Sequence, residues 1–187
     1  MTASSPAPLT AAAAASARRH RTMVAARLIH QAPRLAASLD WDTLDNIPTW
    51  LSLPDDELTA LQCRIGALLH SRAMRLWIDG ARLGAARAVL GEPFLQGLLA
   101  QPDAAAVPTG SMKLPRIETA LQVGPLLRAT GASVLIASLP AGPLHNAAAA
   151  LLAPAVAAEM HPELAQTLIA RAELPARLST VPEGAAA

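Results

Sequence analysis

Between Leu58 and Ile78 the apolar positions follow a helical period of 3.6 residues. Leu58, Leu61, Ile65, Leu68, Leu69 and Leu76 fall on one side of the wheel, and Cys63, Gly66, Ala67, His70, Met74 and Trp77 on another. Arg64, Ser71 and Arg75 share a narrow polar strip between them. A helix that is apolar over most of its circumference is enclosed by neighbours on several sides, so this segment is expected to be the central helix of a helical domain. Its start is marked by "SLPDDEL" (52–58). Ser52 is placed to cap, and Pro54 fits the first turn, where its missing N–H is not needed. Asp55, Asp56 and Glu57 complement the positive end of the helix dipole. Gly80 is expected to end the helix, after about Ile78.

The same signals organise the rest of the chain. A basic helix is expected over roughly 17–30. A second helix follows the central one at 81–91, closed by Gly91, and a short third lies at 93–101. "PDAAAVPTGSMKLP" (102–115), bounded by prolines, reads as an internal linker. Beyond it, "RIETALQVG" and "PLLRATGASVLIASL" read as two helices broken at Gly124-Pro125, with a strand at 133–139 as the lesser alternative. "PLHNAAAALLAPAVAAEM" and "PELAQTLIARAEL" each open on a proline at a helix start, Pro143 and Pro162. Residues 1–16, "MTASSPAPLTAAAAAS", are expected to be disordered low-complexity sequence or a fraying helix. The tail at 179–187 is expected to be loose. The fold class is therefore all-α: a single compact multi-helix domain over 17–178 behind a disordered Ala-rich N-terminus.

Composition sharpens this picture. Apolar residues make up 52% of the 187 positions, while aromatics are only 2%, so the core must be built from leucine, isoleucine, valine and alanine. Strands favour β-branched and aromatic residues, and this composition favours close-packed helices instead. A net charge of +1 generates no field strong enough to hold nucleic acid or anionic lipid. The single cysteine excludes an intramolecular disulfide and a multi-cysteine zinc cage, and fits a reducing, cytoplasmic location. The longest apolar run, "AAAALLAPAVAA" (147–158), is too short to span a bilayer and contains Pro154. In "LTAAAAASARRHR" the apolar stretch precedes the basic one, the reverse of a secretory signal.

Candidate chemistry is sparse. Cys63 and His70 share a face of the central helix but lie seven residues apart, about 10.5 Å along its axis, which is beyond the reach of a thiolate–imidazole pair. As metal ligands they lack partners, because no His-x3-His or Cys-x2-Cys occurs. Both read as structural: a small apolar cysteine, and a partly buried histidine with a backbone partner. Gly80, Gly84 and Gly91 do not match a phosphate loop. Asp55 and Asp56 are explained by helix capping. No nucleophile–base–orienter set emerges, and no catalytic, metal or cofactor site is expected.

The run Leu-x-Cys-Arg-x-Gly-x-x-Leu-His is formed here by Leu61, Cys63, Arg64, Gly66, Leu69 and His70. Ala73 and Arg75 follow, then Leu83, Gly91 and Leu95. Through these residues the stretch 51–101 resembles the K-subunit family (SctK/YscK-like) of bacterial type III secretion sorting platforms. "AARLIHQAPRLAASL" (25–39) and "IETALQ" followed by "TGASVLIASL" are weaker echoes of the same family. Val24 stands where proline is usual, and 140–160 is alanine-rich where a more basic, leucine-rich segment is usual.

The resemblance implies a non-catalytic cytoplasmic adaptor at the inner-membrane face. It would link the cytoplasmic domain of the ring protein (SctD type) to the pod protein (SctQ type) and be required for export. It would need no cofactor, bind no nucleic acid and insert in no membrane. The candidate docking residues are Asp40, Trp41, Asp42, Asp45 and Trp50 in one segment, and Arg72, Arg75 and Arg82 in another. The alternative is a helical nucleic-acid-binding or regulatory domain using Arg18, Arg19, Arg21 and Arg27, against which stand the near-zero net charge and the lack of interleaved aromatics.

Overall fold

Helix signals run through the whole chain, and the computed structural model is correspondingly all-α. Among the described residues (11–31, 47–100, 114–152 and 160–178) there are seven α-helices, one 3-10 turn and no strand. In chain order they are α1 (Ala11–Gln31), the 3-10 turn (Thr49–Ser52), α2 (Asp55–Arg75), α3 (Gly80–Leu90), α4 (Glu92–Ala100), α5 (Ala120–Ala137), α6 (Pro143–Leu152) and α7 (Pro162–Leu178). The chain divides at Pro54 into two compact units.

In the first unit, α1 packs on the 3-10 turn. Val24 and Leu28, one helical turn apart, are fully buried, as are Trp50 and Leu51 in the turn. Arg27 joins the two elements: its Nη1 donates to the Leu53 carbonyl at 2.8 Å. α1 begins at Ala11, so part of the alanine-rich stretch is helical. The expectations for 1–10, for 32–46 with the docking candidates Asp40, Trp41, Asp42 and Asp45, for most of the linker (101–113), for 153–159 in the stretch opened by Pro143, and for 179–187 lie outside the described residues.

The second unit is organised around α2 and α5. α3, α4 and α7 also pack on α2, and α3, α6 and α7 pack on α5. Two glycines let the central pair meet backbone to backbone. A Cβ at Gly66 would overlap the Leu127 carbonyl of α5, and a Cβ at Gly131 would overlap the Gln62 carbonyl of α2. The contact is reciprocal: each glycine lies one turn beyond the residue whose carbonyl faces the other glycine. Around it are buried Leu61, Ile65, Leu68, Leu69, Leu127, Val134 and Leu135. Removing their apolar area from water stabilises the unit at roughly 25 cal/mol per Å².

Several boundaries differ from the sequence expectation, each for a local reason. Ser52 does not cap α2: it lies in the 3-10 turn, where its Oγ donates to the Thr49 carbonyl at 2.9 Å. α2 stops at Arg75 rather than Ile78, because its end tightens through Leu76 N–H to Ala73 O and Trp77 N–H to Met74 O, both 3.1 Å. Leu76 therefore leaves the apolar stripe and is 76% exposed. Gly80 opens α3 instead of closing α2, since Asp79 is the N-cap and accepts the Ala81 N–H at 2.9 Å.

Gly91 does close α3, at φ +79°, with its N–H on the Arg87 carbonyl at 2.9 Å. The expected break at Gly124-Pro125 is absent, and α5 runs through it. Proline removes one helical donor and crowds the residue before it. Here that residue is glycine, which has no Cβ to clash, and Pro125 faces outward. Of residues 133–139, considered as a strand, 133–137 are the end of the same helix and Ser138 is its C-cap.

Candidate functional site

The C-terminal end of α2, the 76–79 connection, Arg82 of α3 and the non-helical segment 114–118 enclose an open groove of about 660 Å³ in the second unit. Leu69, His70 and Ala73 come from α2, Leu76 and Trp77 from the connection, and Leu114, Pro115 and Ile117 from the facing segment. Arg72, Arg82, Arg116 and Glu118 supply the charge.

Arg82 holds this assembly together. Its Nε lies 3.1 Å from Asp79 Oδ2, and its Nη1 donates to the Ile117 carbonyl at 3.1 Å. Its guanidinium carbon sits 5.3 Å from the Trp77 ring centroid, within cation–π range. One side chain thus ties the α2–α3 connection, α3 and the 114–118 segment into a single wall. Arg72 and Arg116 differ: both are exposed and neither has an ion-pair partner among the described residues.

His70 lies at the groove floor and is 4% exposed. Its Nε2 is 3.3 Å from Thr130 Oγ1 on α5, so its partner is a side chain across the central helix pair rather than a backbone group. Burial disfavours the imidazolium and lowers its pKa to about 4. Cys63 is buried too. Desolvation raises its thiol to about 11, against a smaller opposing effect of Arg128. At neutral pH the first is a neutral imidazole, buried against Thr130, and the second a protonated thiol, the form that is not a nucleophile. Among the described residues, no group of three His, Cys, Asp or Glu side chains converges on a point that could hold a metal ion.

The sequence candidates are distributed unevenly. Arg72 and Arg82 both line the groove, and Arg75 is half-buried and lies outside it. Trp50, named as a docking candidate, is 2% exposed and presents no surface to a partner, because the 3-10 turn directs it inward. Asp40, Trp41, Asp42 and Asp45 lie outside the described residues. Leu61, Cys63, Gly66, Leu69 and His70 are all buried. Arg64 is half-buried, its guanidinium carbon 5.8 Å from the Phe94 ring centroid of α4. In the N-terminal basic cluster Arg18 and Arg19 are exposed, while Arg27 is engaged with carbonyls.

Sequence reasoning missed Arg116 and Ile117, which were assigned to the start of a helix, and the role of Trp77, which was assigned to an apolar stripe. The available signal was Thr119 with Gln122 three residues on, the spacing of a helix start: Gln122 Oε1 accepts the Thr119 N–H at 3.1 Å, and α5 begins only at Ala120.

Searches against protein-family models, curated proteins and solved structures found no match. The resemblance of 51–101 to the K-subunit family therefore rests on its residues alone. α5 is, among the described residues, one helix long and apolar enough to cross a membrane, and half of it is buried inside the protein, as a core helix would be.

Proposed function

We propose that this chain is a non-catalytic adaptor of the K-subunit type in a type III secretion sorting platform. It would join the cytoplasmic domain of the inner-membrane ring protein (SctD type) to the pod protein (SctQ type), at the cytoplasmic face of the inner membrane. The observation that carries the reading is the motif run from Leu61 to His70.

Two features support it. The buried members of the run serve packing: Gly66 receives the α5 backbone, and Leu69 and His70 fill the space between α2 and the groove. A motif whose members are buried in this way sets how α2 packs, and leaves contact with partners to the exposed residues around it. The Cys63 thiol is held in its unreactive protonated form by burial, and the buried His70 ring is engaged with Thr130 across the helix pair, which suits a protein whose work is binding rather than turnover.

Deleting the chain from the bacterium that encodes it tests the proposal. Export through the type III system should stop while the membrane rings still assemble. The ring protein's cytoplasmic domain and the pod protein should each be captured by the purified chain. Normal export in the deletion strain, or capture of neither protein, would rule the adaptor out.

A further inference from the structure

We propose that the groove at the end of α2 is a docking site for a short acidic segment of a partner protein, one carrying apolar side chains between its carboxylates. The inference does not depend on which cellular system the chain serves, and it assigns a ligand chemistry that the adaptor reading leaves open.

Three observations select that occupant. The first is charge. Among the described residues, Arg72 and Arg116 stand exposed at the rim without ion-pair partners, and Glu118 is the one acidic residue of the lining. An anionic ligand completes this arrangement, and a cationic one is repelled by it. The second is the exposed apolar surface of Leu76 and Trp77, which line the groove with those arginines, continued along the chain by Ile78. Leu76 is 76% exposed and Ile78 is 98% exposed, next to a half-exposed Trp77. A small inorganic anion or a nucleic-acid phosphate leaves that surface wet, whereas leucine-like side chains on a peptide cover it. Interfaces characteristically combine aromatic and arginine anchors in this way.

The third is preorganisation. Arg82 gives its Nε to Asp79 and its Nη1 to Ile117 and lies over Trp77, so the apolar wall is tied together before a ligand arrives. The ordering cost of binding is correspondingly small. Arg72 and Arg116 are then the recognition arginines, and Arg82 is a positioning residue.

A selection of random 12-residue peptides displayed on phage against the purified full chain tests this without presupposing a sequence. The expected winners carry net negative charge with leucine, isoleucine or aromatic residues between the acids. As synthetic fluorescent peptides they should bind about tenfold or more weakly to an Arg72→Glu/Arg116→Glu variant. An Arg18→Glu/Arg19→Glu control should bind as the parent does. Bound peptide should shift the backbone amide signals of Ala73, Trp77 and Ile117. Circular dichroism of both variants should match the parent, and an Arg72→Gln/Arg116→Gln variant, which removes charge without reversing it, should show an intermediate loss.

Neutral or basic winners, winners indifferent to the Arg72/Arg116 changes, or no winners at all would overturn the proposal. So would a single-stranded oligonucleotide that binds in an Arg72/Arg116-dependent way and displaces the peptides, which would reassign the groove to nucleic acid.

Discussion

The His70–Thr130 contact makes a quantitative prediction about pH. The imidazole is 4% exposed, and its pKa falls from an ordinary value of 6.5 to about 4 because burial disfavours the charged form. As pH drops below 6.5 the unfolded chain takes up this proton and the folded chain does not. Stability is therefore lost as pH falls, from about 6.5 down to about 4, below which both states are protonated and the loss stops growing. Each tenfold difference in proton affinity corresponds to about 1.4 kcal/mol, so the two pKa values imply a loss of roughly 2 kcal/mol between pH 7 and pH 5. That figure is an upper bound, because the ring lies at the floor of an open groove that admits water.

The assay is urea unfolding followed by circular dichroism at 222 nm, for the parent and for His70→Gln, at half-unit steps over this range. Carboxylates titrate in both proteins and cancel in the comparison. The parent should lose about 1–2 kcal/mol more than the variant on going from pH 7 to pH 5. Superimposable pH profiles, or a His70 imidazole signal, assigned by its loss in His70→Gln, that titrates near 6.5 in the folded parent, would refute the assignment of His70 as a buried neutral side chain.

Gly131→Ala should destabilise the protein by about 2 kcal/mol or more, despite alanine's better helix propensity, because its Cβ would overlap the Gln62 carbonyl. Gly97→Ala in α4, where a new Cβ meets nothing within 4 Å, should instead be neutral or stabilising by up to about 1 kcal/mol. Denaturant midpoints measure both, and equal effects would contradict the close approach of α2 and α5. Ile65→Ala should cost about 2–5 kcal/mol, the range for deleting a fully buried aliphatic side chain, and a cost under about 1 kcal/mol would place Ile65 at the surface. The Cys63 thiol should resist a disulfide reagent such as dithionitrobenzoate in the folded state and react readily in urea, because it is buried and protonated; equal labelling rates in the two states would contradict both properties.

The central helix was legible because burial on several sides forces a continuous apolar pattern, and Leu58, Leu61, Ile65, Leu68 and Leu69 carry it plainly. Gly91 was legible for a similarly local reason: a residue at positive φ after a helix is most often glycine. Errors gathered where a tertiary contact or a neighbouring residue overrides the local signal. Pro125 looks like a break until Gly124 is seen to remove the clash. Gly80 looks like a stop, but Asp79 beside it is the better capping residue and turns the glycine into a start. The reciprocal packing of Gly66 and Gly131 had no signal at all, since the two glycines lie on separate helices and nothing in either segment refers to the other.

The groove was half legible for a different reason. Arg72 and Arg82 stand in the motif-bearing stretch and were named together, as if they shared a role. The structure separates them: Arg82 is consumed by Asp79, Ile117 and Trp77, and Arg72 is not. Reversing both charges would thus combine a structural lesion with a docking lesion and give an ambiguous loss of binding, whereas Arg72 and Arg116 isolate the second. The same separation bears on what a sequence resemblance can carry. The core of the motif, Leu61, Cys63, Gly66, Leu69 and His70, is buried, so it constrains how α2 packs. The groove's charge is set by Arg72, just past that core, and by Arg116, far outside the motif-bearing stretch. Two chains could share every residue of the motif and present different charges at this rim. Partner choice is therefore free to change while the scaffold stays fixed, and the Arg72/Arg116 pair is where such a change would be read.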